Sequence, residues 1–316
     1  MSKVLFLLGL AILGVLSDDW TPLNPEEVAY LQGRCMEDHF GDDFELVKKW
    51  IKWKLPEASD KKTSCYVKCL VEKLGIYDGQ KFQPDRVDQQ YKAYKDHNGV
   101  LEAKASAIKD AIGKLAPSGA DCDAVAKPFI PFNNKNEGDL RKIFLVDSYV
   151  RHRVTCADPQ IKPKGISIFR FCGKQFYKDG EAAYCKVRRH GFSDDPKFIQ
   201  HSNCTTRGMR WMKKNGEMDE SAILRDLHLV SVNDKDDKVK EALKNCKPND
   251  ASKARDNYKC LYDGLGEELF MKVLDYVEVR SENYNHRLRK ATAKYDAAAM
   301  RANVESLDSD AQCPKQ

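Results

Sequence analysis

Eleven cysteines that follow an export signal constrain the fold of this chain more than any other feature. A basic start at Lys3 and an apolar run from Val4 to Val15, too short to span a bilayer, predict a cleavable signal peptide over residues 1–17. The mature chain is therefore expected outside the cell, where cysteines pair. Ten of the cysteines form a candidate disulfide framework, and Cys156 is left as either a free thiol or an intermolecular partner.

Composition indicates a soluble secreted protein with two cores of modest size. The chain has 316 residues, of which 42% are hydrophobic, and this is enough for two domains of ordinary length. Its formal charge of +5 comes from 53 basic and 48 acidic residues, a mixed surface without the strong bias of a nucleic-acid-binding protein. After the signal, no apolar stretch approaches the roughly 20 residues of a membrane helix. We expect a monomer that binds neither nucleic acid nor membrane.

Helical signals recur along the chain and define the fold class. Asn24 and Pro25, followed by two glutamates, have the composition of a helix N-terminus. Apolar residues recur at helical spacing over 47–51 and over 100–115, where Pro117 and Gly119 end the pattern. No segment alternates convincingly with the period of two that indicates a strand. The sequence predicts an all-α fold.

A weak internal repeat predicts two domains in tandem. Cys69 and Cys204 are each followed, at nearly the same distance, by a glycine-containing turn, an acidic helix cap and an apolar helix. Apolar periodicity gives way to Asn, Pro, Gly and charge between about Asn133 and Gly165. We therefore predict an N-terminal domain over 18–140, a basic linker over 141–165 and a C-terminal domain over 166–316.

Four motifs stand out beside the order of the cysteines: Arg34-Cys35-Met36-Glu37-Asp38, Cys65-x-x-x-Cys69, Cys185-Lys186-Val187-Arg188 and Asp275-Tyr276-x-Glu278-Val279-Arg280. Together with the signal and the length, these motifs resemble the long-form "D-seven" salivary proteins of blood-feeding mosquitoes. Proteins of that family consist of two disulfide-stapled, odorant-binding-like helical domains. The resemblance covers the whole mature chain.

The resemblance implies a secreted salivary protein that sequesters small host mediators of haemostasis and inflammation and has no catalytic activity or cofactor. The sequence agrees, since it lacks the Gly-x-Ser-x-Gly, phosphate-loop and His-Glu-x-x-His motifs of common enzymes. The resemblance also implies a disulfide connectivity that spacing alone leaves open. The implied pairs are Cys35–Cys69, Cys65–Cys122, Cys172–Cys204, Cys185–Cys313 and Cys246–Cys260.

An acidic pair in the C-terminal half is a candidate amine site. Asp275 and Glu278 have i, i+3 spacing beside an apolar helix face, where they could hold a ligand ammonium. The pattern alone favours the alternative of a solvated acidic edge. The resemblance implies that the pair binds serotonin, histamine or catecholamines, although His190 stands where a tyrosine is expected. The implied site consists of Arg188, His190, His201, Tyr258, Asp275 and Glu278.

A zinc site is a competing interpretation of the two histidines in this set, His190 and His201. Cys185 with His190, and His201 with Cys204, have the ligand types of zinc-binding pairs. Export into an oxidising compartment argues against zinc, because disulfides account for the cysteines there. We therefore expect no metal.

Two basic segments form a candidate nucleotide site. One is the linker, and the other covers residues 280–290, where Tyr284 could stack on a purine and Asn283 could contact its edge. From charge alone, a solvated linker and a fraying helix end explain these residues equally well. The resemblance implies a pocket between the domains for ADP and ATP. Its residues are Arg151, Lys162, Lys164, Ser281, Asn283, Tyr284 and Arg289, and the linker also carries Arg141, Lys142 and Arg153.

The N-terminal half offers a third candidate site. Its aromatic residues fit either a packed core or an apolar channel for a leukotriene or a thromboxane. Leu70 stands where the resemblance to thromboxane binders implies a tyrosine, so we expect no thromboxane binding. A rival function of another class is a protein-binding anticoagulant that uses the basic surface against an acidic clotting factor. The aromatic residues are Trp50, Trp53, Tyr66, Tyr77, Phe82, Tyr91 and Tyr94.

Overall fold

A computed structural model describes residues 20–56, 60–146, 154, 158–213, 215–284 and 295–313. The predicted signal peptide, Arg151, Arg153, Cys156 and Arg289 lie outside these residues. None of the described helices is long and apolar enough to cross a membrane. The α-helices in chain order are α1 Pro25–His39, α2 Phe44–Trp50, α3 Lys61–Lys73, α4 Pro84–Ala93, α5 Lys95–Asn98, α6 Glu102–Gly113, α7 Cys122–Leu145, α8 Ile168–Phe176, α9 Ala182–Arg188, α10 Lys197–Gly208, α11 Glu220–Leu229, α12 Asp236–Asn245, α13 Lys253–Leu265, α14 Glu267–Ser281 and α15 Ala297–Asp308.

Helix α1 begins where the sequence predicts a helix N-terminus. The Asn24 side chain accepts hydrogen bonds from the amides of Glu26 and Glu27, and the Glu27 carboxylate accepts one from the amide of Asn24. This reciprocal cap satisfies amides that have no partner within the helix. It fixes the start of a helix that contacts both halves of the molecule.

The first hydrophobic core lies between α1, α3, α4, α6 and α7. Trp50 and Tyr66 stack with their ring centroids 4.3 Å apart, and Phe82 stacks on Phe129 at 6.0 Å. Of the aromatic residues considered for a lipid channel, all except the partly exposed Tyr94 are buried. In this structure they pack against one another as a core.

Helix α7 extends further than the sequence predicts. It continues to Leu145, past the expected loss of helical pattern near Asn133 and into the expected linker. Side-chain hydrogen bonds explain the difference: the buried side-chain amide of Asn133 donates to the carbonyl of Trp53 at 2.7 Å, and the exposed Asn134 side chain bonds to both backbone groups of Leu55. Polar side chains therefore attach this helix to the chain after α2.

The second core repeats the local design of the first. Tyr77 and Phe82 form an isolated antiparallel bridge between α3 and α4, and Met212 and Met218 form the same kind of bridge between α10 and α11. Disulfide Cys35–Cys69 joins α1 to α3, and Cys172–Cys204 joins α8 to α10, at sequence separations of 34 and 32. Within the described residues, extended pairing is limited to these bridges, so the all-α prediction is confirmed.

Among the described residues there are five disulfides, and each joins two cysteines of the same half of the molecule. Their partners are the ones that the resemblance implies. The pairs are Cys35–Cys69, Cys65–Cys122, Cys172–Cys204, Cys185–Cys313 and Cys246–Cys260.

Helix α1 joins the two cores through buried ion pairs. The Arg280 guanidinium forms a bidentate salt bridge with Glu37, with Nε–Oε1 and Nη2–Oε2 distances of 2.9 and 2.8 Å. Arg34 pairs with Asp226, whose other carboxylate oxygen accepts a 2.8 Å hydrogen bond from Trp211. Because buried charges require partners, these contacts fix one arrangement of the two halves.

Candidate functional site

Four of the seven residues predicted for the nucleotide site line one cleft between the two cores. Lys162 and Lys164 approach from the segment before α8, and Asn283 and Tyr284 follow the end of α14. Ser281 is buried beside the cleft and is engaged elsewhere, because its hydroxyl donates to the carbonyl of Glu278 and accepts from the amide of Ile168. The other two predicted residues, Arg151 and Arg289, lie outside the described part of the chain.

The Lys162 side chain is the most enclosed cation of this cleft. It is 4% exposed, and its ammonium donates to the carbonyls of Pro163 at 3.2 Å and Ile166 at 3.1 Å. Lys164 is exposed at the mouth, and Arg141 lines the same cleft from the last turns of α7. Three cations therefore face a partly enclosed space, an arrangement suited to a phosphate group.

Tyr284 is held rigidly in the wall of the cleft. Its hydroxyl donates to the Glu26 carboxylate, its ring packs edge-on against Tyr30 at 5.3 Å, and the Lys162 ammonium lies 5.0 Å from its ring centroid. Burial and the Glu26 charge raise the pKa of Tyr284 well above its ordinary value, so the phenol stays protonated. The ring is only 4% exposed, which corrects its expected role as an open purine platform.

Close backbone packing places Tyr284 against α1. A side chain at Gly33 would bring its Cβ within 2.5 Å of the Tyr284 carbonyl oxygen, so glycine is required there. Tyr284 itself has a φ of +54°, a conformation uncommon for residues other than glycine. Contacts from α1 on both its carbonyl and its hydroxyl stabilise this turn.

Apolar side chains also line the cleft. Ile51 is 44% exposed, one of only two large apolar side chains so exposed in the described part of the chain, and it lines this cleft together with Met36 and Val146. Sequence patterns missed these residues because they belong to helical stripes that predict core positions. The flat base of a nucleotide could pack here while the phosphates of the same nucleotide reach the lysines. The remaining lining residues are Glu26, Ala29, Gln32, Leu145 and Glu282.

The cleft has a second chamber. The first has a volume of about 220 Å³, and the second, of about 380 Å³, shares Lys162 and Glu26 with it. Arg207 and Arg210 line the second chamber, and Arg210 pairs with Glu26 at 2.7 Å. Ligand sites have volumes of roughly 300–1,000 Å³, and the second chamber on its own lies within that range.

The six residues of the predicted amine site also come together, inside the second core. Asp275 and Glu278 are 6% and 0% exposed, so the alternative of a solvated acidic edge is wrong. Arg188 approaches Glu278 and Asp308 with N–O distances of 2.6 Å to each. His190 lies 3.0 Å from Asp275, and its carbonyl accepts from the Tyr258 hydroxyl. These carboxylates are already paired with cationic or protonatable groups of the protein.

The zinc interpretation does not fit the sulfur chemistry of the site. Cys185 is bonded to Cys313 and Cys204 to Cys172, so neither sulfur is available as a thiolate. His201 packs between the rings of Tyr177 and Phe198, with centroids 5.8 Å away in each case. These contacts assign the ring to the core.

The buried position of His201 leads to a pH prediction. Burial, together with nearby Arg188 and His190, lowers the pKa of His201 to about 3 from the ordinary 6.5. As the pH falls below 6.5, His201 therefore binds a proton in the unfolded chain, whereas in the folded protein it binds one only near pH 3. Stability should decrease between about pH 6.5 and pH 3, by at most about 1.4 kcal/mol per pH unit from this residue.

Replacing His201 with phenylalanine should reduce that acid sensitivity, because an apolar ring suits the same stack. Between pH 6.5 and 4.5 we expect the unmodified protein to lose about 2 to 3 kcal/mol more than His201→Phe. Denaturant titrations at the two pH values, with disulfides intact, measure the difference. Equal losses in both proteins would mean that His201 is protonated as easily in the folded state as in the unfolded one.

Comparison with known proteins identifies relatives of this two-core fold. Residues 17–127 and 157–263 match the PBP/GOBP family. The long form salivary protein D7L1 of Culex quinquefasciatus is 67% identical over 311 residues, which cover 98% of this chain and 100% of that protein. The structure of Culex quinquefasciatus D7 long form 1 in complex with ADP matches with a TM-score of 0.89 at 67% identity, over 93% of this chain and 100% of that one.

More distant relatives share the same architecture. The long form salivary protein D7L1 of Anopheles gambiae is 33% identical over 85% of this chain and 87% of its own length. The AeD7–leukotriene E4 complex matches with a TM-score of 0.77 at 27% identity, over 88% of this chain and 96% of that one. This chain therefore belongs to the long-form D7 salivary proteins, whose two helical halves match the PBP/GOBP family.

Proposed function

We propose that this protein is secreted in saliva and sequesters ADP and ATP in the cleft between its two cores. The observation that carries the proposal is that Lys162, Lys164 and Arg141 line one cleft between the cores together with apolar side chains, among them Met36, Ile51 and Val146. A relative with 67% identity was solved in complex with ADP. Removing ADP from a wound would deprive platelets of an agonist and inhibit their aggregation.

The chemistry of the cleft favours a nucleotide over an uncharged nucleoside. Charge-assisted hydrogen bonds from the lysines would hold the phosphates, and the base would pack on the wall that contains Met36 and Ile51. Arg151 and Arg289 remain predicted phosphate ligands. Binding a mediator at micromolar concentration requires a free energy of about −8 kcal/mol, which several such contacts in a partly enclosed site can supply.

Calorimetric titration with a phosphate series tests this proposal. We expect ADP and ATP to bind at one site per chain, AMP more weakly and adenosine weakest, because each phosphate adds ionic contacts. Affinity for ADP should fall as salt rises from about 0.05 to 0.5 M, since salt screens exposed charges such as Lys164. Equal affinity for ADP and adenosine would contradict the proposal.

Titrations with leukotriene E4 and serotonin, together with clotting assays, separate this function from its rivals. Prolonged clotting times without heat from any nucleotide would favour the protein-binding anticoagulant. Heat from leukotriene E4 alone would favour a lipid site in the first core, although its aromatic side chains are packed on one another. Heat from serotonin alone would favour the amine site in the second core, where Asp275 and Glu278 are paired with His190 and Arg188.

A further inference from the structure

A separate cleft between the two cores, the α1–α11 cleft, lies on the other face of α1. The nucleotide cleft is lined by the face of α1 that carries Glu26 and Met36. At about 100° per residue, Leu31 and Arg34 project from the nearly opposite face, and both line the α1–α11 cleft. Its volume is about 350 Å³, within the range of small-molecule sites.

Both cores contribute apolar surface to the α1–α11 cleft. Leu31 and the disulfide Cys35–Cys69 belong to the first core, and Ala222 of α11 packs against the second. Leu23, which precedes α1, lines the same cleft. An alkyl chain in this cleft is therefore removed from water, which favours binding.

Arg34 brings an unsatisfied hydrogen-bond donor to the α1–α11 cleft. The residue is 5% exposed, and its Nη1 atom is buried without a hydrogen-bond partner in the described part of the chain. Glu37 Oε2 lies 3.7 Å from Nη1, which is too far for a hydrogen bond. Buried polar groups normally have partners, so this nitrogen points to an acceptor that the chain itself does not supply.

Arg225 carries positive charge into the more open part of the α1–α11 cleft. Its side chain is 31% exposed, and its Nη2 atom donates to Asp38 at 2.6 Å and to the carbonyl of Arg34 at 3.3 Å. Burial and the neighbouring Arg34 lower the pKa of Arg225 from its ordinary value. The carboxylates nearby therefore offset the repulsion between these guanidinium groups only in part.

The three carboxylates that line the α1–α11 cleft already have donors within the protein. Glu27 accepts from the amide of Asn24 in the cap of α1. Asp38 pairs with Arg225, and Asp219 caps α11. Cationic side chains outnumber these carboxylates, so the cleft favours an anionic head group over a cationic one. The four cations are Arg34, Lys73, Arg210 and Arg225.

We propose that the α1–α11 cleft binds an amphipathic carboxylate, whose head group pairs with the guanidinium groups of Arg225 and Arg34 and whose alkyl chain packs between Leu31 and Ala222. A carboxylate matches the planar pair of donors on a guanidinium group. This site does not depend on the nucleotide site, because the two clefts lie on opposite faces of α1. A failure of either site in the experiments therefore leaves the other untouched.

Calorimetric titration with octanoate tests this proposal. We expect one octanoate per chain with a Kd below about 1 mM. Octylamine has the same alkyl chain and the opposite charge, and it should bind at least about tenfold more weakly, because the cations of the cleft repel an ammonium.

Arg225→Gln should weaken octanoate binding by about tenfold or more, since it removes a charge-assisted contact to the head group. Arg255→Gln is the matched control. Arg255 lies on α13 outside this cleft, its side chain is also 31% exposed, and it pairs with Asp256 at 2.8 Å. This control should bind octanoate within about twofold of the unmodified protein.

Ala222→Phe supplies a second variant, because a larger side chain occupies the space of the alkyl chain and should abolish octanoate binding. Thermal unfolding followed by circular dichroism identifies the variants that fold, and Ala222→Phe decides the matter if Arg225→Gln does not. The proposal is overturned if octanoate gives no heat beyond dilution, or if octylamine binds as tightly as octanoate. It is also overturned if a folded variant of Arg225 or Ala222 binds octanoate as tightly as the unmodified protein, since the ligand then lies elsewhere.

Discussion

Replacing Glu37 with glutamine is expected to lower the free energy of unfolding by about 3 to 5 kcal/mol. Glu37 is 5% exposed, and it forms a bidentate salt bridge with Arg280, which is 3% exposed. The Arg34 guanidinium also lies 3.7 Å from Glu37. The substitution would leave two buried guanidinium groups near each other without this carboxylate, at the junction of the two cores.

Glu45→Gln is the matched control, because Glu45 pairs with Lys48 in an exposed setting. Their N–O distance is 2.6 Å, but both side chains are more than two-thirds exposed. Removal of such a surface pair should change stability by less than about 1 kcal/mol. Urea titrations of the three proteins give the comparison, and similar small losses for both variants would show that the buried pair does not stabilise the junction.

Lys162→Met is expected to weaken ADP binding by roughly 10- to 150-fold, if one buried charge-assisted contact contributes about 1.5 to 3 kcal/mol. Methionine retains an unbranched apolar stem of similar length, so the change removes mainly the charge. Lys162 is 4% exposed and borders both chambers of the cleft, which makes it the cation that water screens least.

Adenosine and a distant lysine provide the controls for this effect. Binding of adenosine should change little in Lys162→Met, since adenosine carries no phosphate. Lys48→Met removes an exposed charge on α2 and should leave the ADP affinity within about twofold of the original. If Lys162→Met and Lys48→Met bind ADP equally well, the lysines of this cleft do not hold the phosphates.

Local signals in the sequence predict one side of the nucleotide cleft. Lys162 and Lys164 precede α8, and Asn283 and Tyr284 follow α14, so short basic segments near helix ends identify them. The other lining residues come mostly from α1 and α7, and Ile51 follows the end of α2. Glu26 and Tyr284 are hydrogen-bonded across 258 positions of the chain, and no local periodicity contains such a contact. Only the folded structure shows that the residues from α1 and α7 line the same cleft as the basic segments.

Burial explains where the sequence patterns failed. Asn133 interrupts the apolar stripe of α7, but it is buried and its side-chain amide donates a hydrogen bond to the carbonyl of Trp53 after α2. Asp275 and Glu278 have the spacing of an exposed acidic edge, yet they are buried with Arg188, His190 and Arg301 as partners. A sequence pattern treats polar residues as exposed, whereas a structure can satisfy them internally.

A crystal structure of the protein with ADP tests the proposed nucleotide site most directly. We predict one nucleotide per chain in the cleft between the cores, with phosphate oxygens within hydrogen-bond distance of the Lys162 or Lys164 ammonium and the base against Met36 and Ile51. Density for ADP inside either core, or a cleft without nucleotide at saturating ADP, would contradict it.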